Sequence, residues 1–130
     1  FYPTAAVLLA RALLQQGHVD EAWENLKAGE AATASDDMFT IVGAHCVRAR
    51  LLGVAGRMTE AEESGRKAIE LALQSDDLSL QAEAFLDLAG VLEGGSAKAE
   101  ALNAALEVAG RKENVVLAAT ARTKLSELGE

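Results

Sequence analysis

Gly17-His18-Val19-Asp20-Glu21-Ala22 recurs as Gly56-Arg57-Met58-Thr59-Glu60-Ala61, and a looser third copy reads Gly95-Ser96-Ala97-Lys98-Ala99-Glu100-Ala101. The Glu-Ala pairs stand 39 and then 40 residues apart. Ser35-Asp36-Asp37 returns as Ser75-Asp76-Asp77 on the same step. Two independent markers on one period identify stacked repeat units.

Each copy joins two helical patterns. Before the first turn, Val7, Leu9, Ala10, Leu13 and Leu14 recur at helical spacing, which predicts a helix over about 3–16. Pro3 suits its first turn, where the missing N–H has no partner anyway. Gly17 and Gly56 take the place that glycine occupies just past a helix end. The next helices begin near Asp20, a good N-cap with Glu21 and Glu24 behind it, and near Thr59, where Thr59 and Glu62 make a capping box. Helices are expected from about 38 to 55, from Leu80 to Leu92 and over about 97–109, with Gly94-Gly95 as the third break. A last helix over about 114–128 carries Leu117, Ala121, Leu125 and Leu128 on one face, the one-sided pattern of a solvating cap. The expected units are 3–36, 37–76 and 77–112, followed by a cap helix over 113–129, in one domain.

Composition agrees with an all-α fold. The chain has 130 residues, 27 of them alanine, 4% aromatic residues and one proline. Alanine favours helix and lets helices approach closely. The net charge of −8, from 12 Lys plus Arg against 20 Asp plus Glu, argues against nucleic acid or an anionic membrane as partner. No apolar run has the length of a membrane span. The single cysteine, Cys46, cannot form an internal disulfide, which fits a cytoplasmic setting. The opening at Phe1 reads as a piece of a longer protein or a processed one.

These turns resemble the tetratricopeptide repeat. That family places a small residue midway along its first helix, matched by Ala10, Ala49 and Ala89. It has a glycine at the turn, matched by Gly17 and Gly56, with Ser96 in its place in the third unit. It has an alanine early in the second helix, matched by Ala22, Ala61 and Ala101, and another small position matched by Gly29 and Ala68, with Val108 in the third unit. The resemblance covers the whole chain and implies a right-handed α-α superhelix. It departs in its missing aromatics, in Gly65 where a large residue is common, in lacking a closing proline, and in a period near 40. HEAT-type repeats share the period but lack the turn. The repeat length and the tail around Ala121-Arg122 and Leu125-Ser126-Glu127-Leu128 resemble repeat arrays of bacterial ATPase/cyclase or LuxR-type signalling regulators. That likeness implies a regulatory arm in signalling or transcription regulation.

The catalytic motifs have plainer explanations. His45 and Cys46 are adjacent, and neighbours on a helix diverge. His18 and His45 lack a zinc spacing. Ser64-Gly65-Arg66-Lys67 matches a Ser-x-x-Lys string without its companion motifs. Asp36-Asp37 and Asp76-Asp77 fit caps and turns better than a cation site. The expectation is therefore no enzyme, no metal and no cofactor.

What remains is surface. The resemblance places a concave groove along the first helices, presenting Val7, Arg11, Gln15, Cys46, Arg50, Val54, Leu86, Gly90 and Asp87. Arg11 and Arg50 fall at equivalent positions and suit bidentate pairing with an acidic partner group; the competing reading is an internal ion pair, since the chain is rich in Glu. The Lys and Asn of the family's chaperone-tail clamp are missing. The expected partner is a protein or peptide segment, including another domain of the parent chain. The alternative is a small-molecule effector held in the groove. A homodimer through Leu8, Leu9, Ala12 and Phe1-Tyr2 of the first helix is a further expectation.

Overall fold

The computed structural model describes residues 3–32, 37–111 and 115–129, and the side chains of 5–30, 37–111 and 119–128. These residues form seven helices and no strand: α1 Pro3–Gln15, α2 Val19–Ala32, α3 Met38–Val54, α4 Met58–Ala72, α5 Leu78–Val91, α6 Gly95–Arg111 and α7 Val115–Gly129. The fold is all-α.

The first two turns are built alike. His18 donates to the Leu13 carbonyl at 2.8 Å and Gly17 to the Leu14 carbonyl at 3.0 Å; Arg57 and Gly56 repeat this onto Leu52 and Gly53 at 3.0 and 3.1 Å. This paired closure of a helix end requires a left-handed residue just past it. Gly17 and Gly56 supply it, with φ of 84° and 79°. The third turn differs: Gly94 and Gly95 take positive φ, so the left-handed role falls before Ser96 and α6 starts two residues ahead of the expected boundary.

The Ser-Asp-Asp marker ends in a cap. Asp77 accepts from the Leu80 N–H at 3.1 Å and donates its own N–H to the Ser75 hydroxyl at 2.9 Å. Asp37 accepts from the Phe39 N–H at 3.1 Å and takes the Thr40 hydroxyl at 2.8 Å. Ser35 and Asp36 lie outside the described residues. The Thr59–Glu62 capping box does not form. Arg57 holds the N-cap position without a side-chain cap bond, since a guanidinium has no acceptor to offer the helix N–H groups; its Nε donates to Glu60 Oε1 at 2.9 Å.

Short turns fold α1 on α2, α3 on α4 and α5 on α6 as hairpins. α1 packs on α3 and α3 on α5, which makes a row of first helices. α2, α4 and α6 each lean on the next helix in the chain, and among the described residues neither α2 and α4 nor α4 and α6 approach closely. The expected small residues sit at the contacts: Ala10, Ala22, Ala49, Ala61 and Ala89 are fully buried. Between them Leu26, Leu51 and Leu102 fill the interior; truncating one to Ala should cost about 2–5 kcal/mol. Ala121 is buried and Leu125 and Leu128 pack against the last hairpin, as a cap should. Leu117 lies outside the described side chains. Arg48 joins the first two hairpins, with its Nε 3.0 Å from Glu30 Oε2 and its guanidinium 5.6 Å from the Trp23 ring centroid. No helix among the described residues is long and apolar enough to cross a membrane.

Candidate interaction groove on the first helices

The 39- and 40-residue steps place Arg11 on α1 and Arg50 on α3 at matching positions, with Gly90 next in line on α5. The structure brings both arginines to one carboxylate. Arg11 Nη1 and Nη2 donate to Asp87 Oδ1 and Oδ2 at 3.2 and 2.8 Å. Arg50 Nη1 reaches Asp87 Oδ1 at 3.4 Å. Asp87 thus ties together the first helices of all three hairpins.

Gly90 makes this possible. A Cβ there would stand 2.8 Å from Arg50 Nη1 and 3.0 Å from its Cζ. The absent side chain is the space in which the guanidinium lies.

The two arginines are not equivalent in charge balance. Burial alone lowers the Arg11 pKa; the hydrogen bonds and charge of Asp87 overcome this and raise it, so Arg11 stays cationic. Each of its two terminal nitrogens donates one bond to Asp87. The Arg50 side chain is 42% exposed and has one 3.4 Å contact. Two cations share Asp87, and the Glu83 carboxylate lies close enough to act on both Arg11 and Asp87, so the cluster holds two cations and two carboxylates.

Arg11, Leu14, Gln15, Arg50 and Val54 line a cavity of about 380 Å³. Four of the five are groove positions expected from the sequence; Leu14 was read there as a packing residue. Val54 is 62% exposed, an apolar surface beside the free edge of Arg50. The other expected positions lie deeper. Val7, Cys46 and Asp87 are buried and support the groove from beneath, and Leu86 is half-buried against the core.

Sequence reasoning placed Asp87 on the groove but not its role as the tie. Asp87 is 76 positions from Arg11 and 37 from Arg50, and no motif spacing links them. The only signal was two cations at one repeat position with an acid near the third.

No family model, curated protein or solved structure matches this chain. The groove must therefore be read from its own chemistry.

The adjacent His45 and Cys46 diverge. Cys46 is buried, and burial, with the Asp87 carboxylate next, pushes its thiol well up. Burial likewise lowers the pKa of half-buried His45. A thiol held protonated is a poor nucleophile. Asp37 and Asp77 are occupied as caps, and among the described residues no group of three His, Cys, Asp or Glu is placed to hold a metal ion.

Proposed function

We propose that this chain is a protein-interaction module of the tetratricopeptide type, a right-handed array that binds an extended acidic segment along its first helices. The observation that carries this reading is the unequal sharing of Asp87. Arg11 is fixed bidentately on Asp87 and 28% exposed, while Arg50, 42% exposed, offers more of its guanidinium to solvent beside Leu14 and Val54. A cation with spare donors next to exposed apolar surface suits a segment that presents a carboxylate and an aliphatic side chain together. The module works by shape and charge, without chemistry of its own. Within a larger signalling or transcription-regulating protein it would serve as a regulatory arm.

The test uses two pools of fluorescent nonapeptides, one with Asp and Glu at fixed positions and one with Asn and Gln there. Anisotropy should rise with the acidic pool only. The binding should weaken with salt, as exposed charge pairing does, and fall in Arg50→Ala and Val54→Asp. Equal binding of both pools, or binding unchanged in Arg50→Ala, would refute the reading.

A further inference from the structure

A second cavity, of about 550 Å³, opens on the opposite side of α5, between α4 and α6. It exists because those two helices rest on α5 without meeting each other. Gly65 draws α4 down onto α5: a Cβ there would stand 2.9 Å from Leu88 Cδ1. Leu88 and Phe85 of α5 form the floor. Ile69 of α4 and Leu73, the residue just past its end, form one wall, and Leu73 is 56% exposed. The facing α6 wall is alanine, at 97, 101 and 104, too short to fill the space.

The rim is acidic. Glu70 and Glu100 stand on opposite lips, with Arg66 as the one lining cation. Arg66 is matched by Glu62, 3.0 Å from its Nε. Glu70 has Lys67 at 3.7 Å, whereas Glu100 has no ion pair among the described residues. Two lining carboxylates against one cation leave the lips at −1, on a chain of net charge −8. Such a field draws in cations and repels anions.

The size of the cleft selects the kind of occupant. It runs from 66 on α4 to 73 at its C-cap and over 97–104 on α6, about 10 Å along each side. That is too short to seat a partner helix of ordinary length. Its volume falls in the range of small-molecule sites, which are mostly apolar with a few polar groups at the edge. We propose that the α4–α6 cleft binds a small amphipathic amine: an apolar or aromatic body on Leu88, Phe85 and Ile69, and an ammonium group between Glu70 and Glu100. This site is independent of the first-helix groove and stands or falls separately.

The test titrates the 130-residue chain with 4-phenylbutylamine and 4-phenylbutyrate, which share a body and differ in charge. Calorimetry gives affinity, and amide shifts give the place. The amine should bind about ten-fold more tightly than the acid, from two opposite-charge contacts at a partly exposed site. Its shifts should cluster at 69–73 and 97–104. Ala97→Leu with Ala104→Leu should abolish binding while helicity and melting stay unchanged. Glu100→Lys, at an exposed position, should remove or reverse the preference for the amine. Failure of the amine to bind, equal affinity for both probes, shifts outside the cleft, or a preference unmoved by Glu100→Lys would each overturn the proposal. So would binding of a basic amphipathic helical peptide at the cleft in place of the amine.

Discussion

Arg11 and Asp87, 76 positions apart, are joined oxygen for nitrogen at 3.2 and 2.8 Å, with the Asp87 side chain only 5% exposed. The first and third hairpins are thereby tied directly, over the top of the second.

This tie predicts a hierarchy of losses. Arg11→Ala strands a buried carboxylate with one longer contact and should cost about 2–4 kcal/mol, below the full penalty for a wholly buried pair because Arg11 is part-exposed. Arg50→Ala removes the half-exposed contact and should cost under about 1 kcal/mol. Urea unfolding of the two variants measures both. Equal losses would mean that Asp87 does not discriminate between them.

Three helical glycines should answer differently to alanine. Among the described residues nothing stands within 4 Å of the missing Cβ of Gly110, so Gly110→Ala should gain up to about 1 kcal/mol from helix propensity. At Gly90 the obstacle is the end of the flexible Arg50 side chain. Gly90→Ala should therefore leave stability within about 1 kcal/mol while pushing Arg50 off Asp87 and altering groove binding. At Gly65 the obstacle is buried Leu88, and Gly65→Ala should cost about 1–3 kcal/mol by overpacking. Thermal melts of the three variants give the order.

The turn glycines are governed by backbone sterics instead. With φ near 80° and nothing near their missing Cβ atoms, Gly17→Ala and Gly56→Ala should each cost about 1–2 kcal/mol, from left-handed strain alone. Asn at the same positions should cost less. A neutral Gly56→Ala, read by denaturant midpoint, would contradict the left-handed turn.

Half-buried His45 and buried Cys46 each make stability depend on pH. Burial lowers the His45 pKa from its ordinary 6.5, so the unfolded chain takes up that proton more readily. Stability from this group is present above pH 6.5 and declines as pH falls below it. Burial raises the Cys46 pKa well above 9.0, so the unfolded chain loses that proton first. Its contribution is present below pH 9 and declines above. Stability–pH curves of His45→Gln and Cys46→Ala should flatten on the acid and alkaline sides respectively.

The helices and their order were legible because glycine, aspartate and alanine act locally. Gly17 and Gly56 stop helices by backbone conformation, Asp37 and Asp77 start them by accepting N–H bonds, and Ala10, Ala49 and Ala89 bury completely at the expected contacts. Boundaries failed by one residue where the turn geometry decided them: Thr59 and Asp20 suited caps, but α4 and α2 each begin one residue ahead of them, at Met58 and Val19. The candidate groove was half legible. The matching of Arg11 and Arg50 follows from the period, but their meeting at Asp87 depends on how three helices pack. The α4–α6 cleft carried no signal, since it is defined by side chains too small to fill a space that only the packed helices create.

The central claim is that Arg50, left half-satisfied by Asp87, anchors an acidic segment in the first-helix groove. Titrating the acidic nonapeptide pool into ¹⁵N-labelled protein tests it most directly. Shifts are expected at Gln15, Val54 and the Arg50 side-chain Nε–H, all absent with the Asn/Gln pool. Shifts confined to α2, α4 and α6, or no shift at Arg50 when peptide binds, would contradict it.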